Sequence, residues 1–368
     1  MYYRSISKKN TIYNFIFLTV LSVFSCNNNK NELPVLKEEI TSTQASTKVK
    51  ALKGMVWVEG KTFLQGAKDN DLFAMPREKP AHKVTVDGFF IDVTEVTNQQ
   101  FRAFIEATNY VTVAERTIDW EDMKKQLPSD AIKPHDSVLQ PGSLIFNKNV
   151  NAVANMNNYT QWWTWKVGAN WQHPEGPNSN IEGKDNHPVV HVTIEDALAY
   201  CKWANRRLPT EAEWESAAQG TNSKAIFTWG DDPTALNTNA NTWQGVFPTK
   251  NESLDGFEFI SPVKSYPENS IGLFDITGNV WELTSDLFNI NYYKQLDSSQ
   301  PLLNPKGAKK AYNPANPYIE EYVIKGGSFL CHESYCASFR ISAKMGVTID
   351  SSSDHVGFRT VATLDMLD

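Results

Sequence analysis

The chain has 368 residues, room for one large domain or two ordinary ones. A formal net charge of −7 excludes the basic footprint of a nucleic-acid binder, and 41% hydrophobic residues suffice for a sizeable core. The 19 Gly and 18 Pro are spread along the chain, which predicts a loop-rich fold.

At the N-terminus, Arg4, Lys8 and Lys9 precede an apolar run over residues 12–24 that stops at Ser25-Cys26. This order reads as an export signal over residues 1–25, and the run is short for a membrane span. A cysteine directly after Val23-Phe24-Ser25 resembles a lipobox, so Cys26 is expected to carry lipid, with bulky Phe24 as the departure. A plain secretory signal is the alternative. Residues 27–50 are polar and nearly free of aromatics, a composition that cannot bury enough surface to fold. Residues 26–53 are therefore read as a tether and residues 54–368 as the globular domain, held to a membrane of the cell envelope, periplasmic or outer.

Residues 55–63 read as a strand and turn, and residues 82–91 (HKVTVDGFFI) as another strand or hairpin. Thr97-Asn98-Gln99-Gln100 has the capping-box pattern, and Phe101, Phe104 and Ile105 follow at helical spacing. Residues 110–186 are long and irregular, and loops of that length are usually functional or separately ordered. Thr193 caps a second helix with Ile194, Ala197, Leu198 and Cys201 on one face; Thr210 caps a third that ends near Gly220. Beyond Gly220 the chain reads as turns and short apolar pieces. The class is α+β with little regular secondary structure and many ordered loops, which bound ions would help to fix.

Of the four cysteines, Cys201 falls on the apolar helix face and reads as a small buried hydrophobe. Cys331 and Cys336 stand in GGSFLCHESYC. Neither a helix nor a strand puts residues i and i+5 on one face, so residues 332–335 must bend if the sulfurs are to meet. Gly326-Gly327 permits unusual backbone angles just upstream. Spacing alone leaves open a disulfide, a dithiolate site for a soft metal and a redox-active pair, the disulfide foremost in an oxidising compartment. His332, between the cysteines, is a candidate to tune the site. His82, His135 and His173 read as plain surface or core residues. His187 and His191 straddle Pro188 on a strand-like run, which makes a poor start for an iron facial triad.

The ordered segments GMVWVEGKTFLQG, GANWQHPEGPNS, HPVVHVTIEDALAYCKWANRRLPTEAEWESAAQG, GLFDITGNVWELTSD, IKGGSFLCHESYC and HVGFR resemble the formylglycine-generating enzymes, the sulfatase-modifying family. The resemblance spans about residues 54–363 and implies that family's C-type-lectin-like fold. The fold also serves iron-dependent sulfoxide synthases, variable proteins and structural lipoproteins of secretion and gliding machinery, which generally lack the cysteine pair. It thus leaves a non-catalytic envelope lipoprotein as the competing reading.

The resemblance implies copper-dependent oxidation, by molecular oxygen, of a cysteine in a C-x-P/A-x-R motif of an unfolded sulfatase polypeptide, by a monomer. Cys331 and Cys336 are implied as Cu(I) thiolates, with Ser328 beside them and Trp281 lining the substrate and oxygen pocket. The acidic residue of the substrate groove is matched to Asp119, a family arginine to Lys344 and a family asparagine to His355. Two structural Ca2+ sites are implied: Asn241 and Asp255 with backbone oxygens of Thr242 and Phe257, and Asp275 and Glu282 with backbone oxygens of Gly278 and Val280. Carboxylates with carbonyl oxygens suit calcium. Animal members pair the cysteine equivalent to Cys201 with one at the position of Thr360; here that crosslink is absent.

Overall fold

A computed structural model describes residues 52–367. The predicted lipid site Cys26 and most of the tether lie outside them. In chain order the elements are β1 (Met55–Val58), β2 (Lys61–Gln65), β3 (His82–Val86), β4 (Phe89–Asp92), α1 (Asn98–Thr108), α2 (Trp120–Lys124), β5 (Gly142–Phe146), β6 (Trp163–Val167), α3 (Ile194–Trp203) and α4 (Glu211–Gln219). There follow β7 (Gly245–Val246), β8 (Lys250–Asn251), β9 (Trp281–Leu287), β10 (Leu302–Leu303), β11 (Glu321–Lys325), β12 (Met345–Thr348), β13 (Val356–Gly357) and β14 (Val361–Ala362).

The three predicted helices form where their caps place them. Thr97, Thr193 and Thr210 each accept the N3 backbone N–H, and Gln100, Asp196 and Glu213 each reach back to the cap, so two otherwise orphaned donors per helix are satisfied. The buried face of α3 holds Ile194, Ala197 and Cys201 as predicted, with Tyr200 beside them. Leu198, expected on that face, is 46% exposed.

The segment 82–91 is not a hairpin. β3 pairs with β2, whereas β4 pairs with β1 and β14 in a different sheet. The two connections cross where Gly60 and Gly88 meet: a Cβ on Gly60 would lie 2.9 Å from the Gly88 nitrogen, and one on Gly88 would strike the Trp57 ring. The irregular stretch 110–186 contains α2 and the antiparallel pair β5–β6. Beyond Gly220 the chain holds more than turns. A four-stranded sheet in the order β12-β11-β9-β13 carries the site, with β9 buried along nearly its whole length. On one side lies a cluster of Phe101, Phe104, Trp171, Tyr200, Trp281 and Phe358, which also takes in Cys331. A second cluster packs α4, through Ala212, Trp214, Ala217 and Ala218, against β2, β3 and β4. No helix among the described residues is long and apolar enough to cross a membrane.

Candidate active site

β11 ends at Lys325, and the chain turns sharply through Gly326 (φ 89°) and Gly327 (φ 76°). A Cβ on Gly327 would sit 2.9 Å from the Ser338 carbonyl oxygen, so glycine is needed both for its angle and for the close return of the loop. The predicted bend follows. The His332 carbonyl accepts N–H bonds from Tyr335, Cys336 and Ala337 at 3.0–3.1 Å, and Ala337 adopts φ 45°. The loop is pinned from outside by Trp243 N–H to Cys331 O at 3.1 Å and Phe329 N–H to Asn279 O at 2.9 Å.

The bend brings the two sulfurs together as free thiols, not as the disulfide that spacing alone favoured. Cys331 is buried and Cys336 half-buried. Burial pushes the Cys331 thiol up, and the Cys331–Cys336 hydrogen bond raises it further. The same bond lowers Cys336 to about 7 against the opposing effect of burial. The two thiols share one titration, in which burial and their mutual hydrogen bond favour the proton on Cys331 and make Cys336 the more acidic partner. Ser328 is fully buried; its N–H points at Cys331 Sγ (3.4 Å) and its Oγ accepts from Leu330 N–H. Trp281 opens β9 and lies in the same buried cluster as Cys331. His332 is tied locally, Nδ1 to Ser334 Oγ at 2.8 Å.

Three predicted substrate contacts stand differently. Lys344 is buried: Nζ donates to Glu211 Oε2 at 3.1 Å and lies 3.5 Å from the centre of the Tyr293 ring. It belongs to a buried cluster with Lys325, Glu211 and Glu215, where two cations match two carboxylates. Burial opposes the charge of Glu211, but Lys344 and Lys325 hold its carboxyl below its ordinary value. Asp119 is exposed and spent on capping α2, accepting from the N–H groups of Glu121 and Asp122. His355 sits next to Trp281 through its backbone, whose oxygen accepts the Trp281 N–H at 2.9 Å. Its ring packs on Trp163 with Nδ1 2.8 Å from Ser353 Oγ, and loss of solvent drives its pKa well down. A cation that the sequence reading missed is Arg77, whose Nε donates to Lys344 O at 2.7 Å and which feels the charge of Cys336. Nothing in its local sequence marks it, because the approach is made across the fold.

The implied calcium residues form two neighbouring groups, joined where Asn279 N–H donates to Asn241 O at 2.9 Å. In the first, Asn241 Oδ1 is buried with no hydrogen-bond partner, a free oxygen of the right kind. Asp255 is already engaged, accepting from the N–H groups of Thr242 and Phe257 and from Gln244 Nε2. In the second, Asp275 adopts φ 53°, its Oδ1 has no partner, and burial pushes it up to about 6. Gly278 must be glycine, since a Cβ there would lie 2.2 Å from Asn241 O.

Glu282, expected as a free ligand, has both oxygens engaged: Arg359 donates Nε and Nη2 at 2.7 Å, and Trp214 Nε1 adds a third bond at 2.7 Å. The unengaged carboxylate oxygen belongs instead to Glu95, fully buried, with Oε1 accepting from Asn279 Nδ2 and Oε2 without a partner. Nothing in the sequence sets it apart from Asp92 in the same run before the Thr97 cap. His191, half of the weakly supported iron reading, has both ring nitrogens engaged, by Ser143 Oγ and Pro174 O. Cys201 is a free buried thiol as predicted, and Thr360 fills the place of its missing partner by bonding to Asp92.

Residues 41–364 match the model of the sulfatase-modifying factor enzyme 1-like domain. The chain belongs to the sulfatase-modifying factor family. It is 40% identical over 313 residues to the formylglycine-generating enzyme of Mus musculus, a match covering 85% of this chain and 76% of that one. It is also 34% identical over 312 residues to the inactive Cα-formylglycine-generating enzyme 2 of Mus musculus, covering 84% and 85%. Among solved structures, PvdO from Pseudomonas aeruginosa shares the fold at 21% identity with a TM-score of 0.55, covering 84% of this chain and 94% of that one. Membership and fold are thus settled in a family that includes proteins named as active and as inactive.

Proposed function

We propose that this member of the sulfatase-modifying factor family is catalytic, oxidising a cysteine of a sulfatase polypeptide to formylglycine with molecular oxygen. The observation that carries the reading is the pair Cys331 and Cys336: free thiols, brought together by a dedicated bend, with the more acidic of the two also the more exposed. Two soft sulfur donors, with Glu333 of the intervening loop exposed to solvent, suit Cu(I) better than a hard cation. Held by Cys331 and Cys336, Cu(I) would supply redox chemistry toward the client sulfur and dioxygen.

The chain's own residues do the rest. Cys336 presents the accessible side of the pair, so the client thiol approaches past it. Cys331, buried behind, is the thiol on which burial favours the shared proton. The Ser328 N–H, 3.4 Å from Cys331 Sγ, favours the developing thiolate. Trp281 closes the buried side with an apolar wall and excludes water. The overall change removes two electrons at the client's Cβ–S bond: thiol and water give aldehyde and sulfide, and dioxygen accepts the electrons. Ca2+ is assigned a structural part, with Asn241 at one site and Asp275 and Glu95 at the other. The lipid anchor at Cys26 and an envelope location belong to the same reading.

The test is to load the protein with copper, offer a C-x-P-x-R peptide and seek the aldehyde by mass spectrometry. Aldehyde formation that is lost in Cys336→Ser supports the proposal. Copper binding without aldehyde would instead support a non-catalytic binding role, the reading favoured by the inactive relative.

A further inference from the structure

A cavity of about 310 Å3 lies apart from the cysteine pair, at the low end of the roughly 300–1,000 Å3 of ligand pockets. None of Ser328, Trp281, Cys331 and Cys336 lines it; Phe329, on the back of the cysteine loop, forms part of its wall. The floor is apolar and aromatic, with Trp171, Val190, Phe259 and Phe329. Two buried polar atoms without partners belong to its lining. Asp354 Oδ1 is free, although its Oδ2 accepts the Phe146 N–H at 2.8 Å, and His187 Nδ1 has no partner. Such orphans in a native interior call for an explanation, and a missing ligand is one.

The charges around the mouth narrow the class. Lys148 is matched: its Nζ is 2.7 Å from Glu175 and 4.0 Å from the centre of the Phe259 ring. Lys184 and Glu258 also stand on the lining, one of each sign. Among these groups Asp354 Oδ1 is a buried acceptor with no hydrogen-bond partner, and it seeks a donor. Aromatic faces beside it favour a cation over an anion. We infer that this cavity binds a small primary amine carried on an apolar body, its ammonium on Asp354 and its body on the Trp171–Phe259 floor.

Phenethylamine is the probe, titrated calorimetrically into the mature protein, with phenylpropionate as the anionic counterpart of the same shape. The expected result is saturable binding of the amine at one site, no comparable binding of the acid, and at least tenfold weaker amine binding by Asp354→Asn. The asparagine oxygen can still accept the Phe146 N–H. Ile260→Trp, which fills the cavity from its wall, should also abolish binding, and it decides the matter if the Asp354 variant does not fold. Cys336→Ser should bind the amine as the native protein does, which separates this site from the proposed oxidation. No saturable amine binding, equal binding of the acid, or undiminished binding by either cavity variant in folded form would overturn the inference.

Discussion

Lys344 shows how a single side chain can change its meaning between sequence and structure. In the linear text it replaces a family arginine and was expected to touch substrate; in the fold its ammonium is buried against Glu211. Removing one partner of a buried ion pair leaves the other uncompensated and costs about 3–5 kcal/mol. Lys344→Ala should therefore lower the thermal midpoint markedly, while the folded fraction keeps its KM for a C-x-P-x-R peptide; a raised KM at unchanged stability would restore the substrate role. Glu95 is the opposite case, a functional candidate that went unseen. Burial is a property of the fold, and an acid reads the same in the text whether it faces water or a cation. Cys336 needs no such correction: its spacing demanded a bend, and the bend is there. At this scale Cys336→Ser is expected to abolish both turnover and copper retention, read by peptide mass spectrometry and by metal analysis after gel filtration.

At the scale of elements, the legible parts are those with local chemical signals. Thr97, Thr193 and Thr210 mark helix starts because a cap works through neighbours within three residues. Thr193→Ala should cost about 1 kcal/mol, measurable by denaturant melts, because only one side-chain oxygen is lost. β9 was not legible. In WELTSDL the polar Glu282, Thr284 and Asp286 alternate with Trp281 and Leu283 and suggest one face in solvent, whereas all three polar side chains are buried. The crossed pairing of β1 with β4 and β2 with β3 was equally hidden, because register depends on partners far along the chain. The cysteine loop lies between these cases: Gly326-Gly327 announced it, but its return onto Ser338 did not show. Gly327→Ala meets both a left-handed angle, worth roughly 1–2 kcal/mol, and the Ser338 oxygen. It should loosen the bend and weaken copper binding while the helices, followed by circular dichroism, remain.

For the molecule as a whole, the class and the order of the motifs are legible in one dimension, and the balance of buried charge only emerges in three. Glu95, Asp275 and Glu282 lie near one another and raise Glu95 together, burial first; Arg359 answers one of them. Asp275, lifted to about 6, binds its proton more tightly folded than unfolded. With no ion bound, its contribution therefore falls as pH rises from about 4 to 6. A bound Ca2+ reverses this by favouring the ionised form. The gain in thermal midpoint on adding Ca2+ should accordingly be larger at pH 7.5 than at pH 5, and chelator should remove it; a gain independent of pH would count against Asp275 as a ligand.

Thr360 bonded to Asp92, where animal relatives are implied to place a crosslink to the Cys201 position, sets how the protein can be handled. Among the described residues the scaffold contains no bridge for a reductant to break. Keeping Cys331 and Cys336 as thiols therefore costs nothing in integrity elsewhere, and the buried Cys201 offers no exposed sulfur for thiol exchange. The described domain can be purified, stored and assayed under strong reduction, and among its described residues there is no disulfide to mispair when it is made in a reducing cytoplasm.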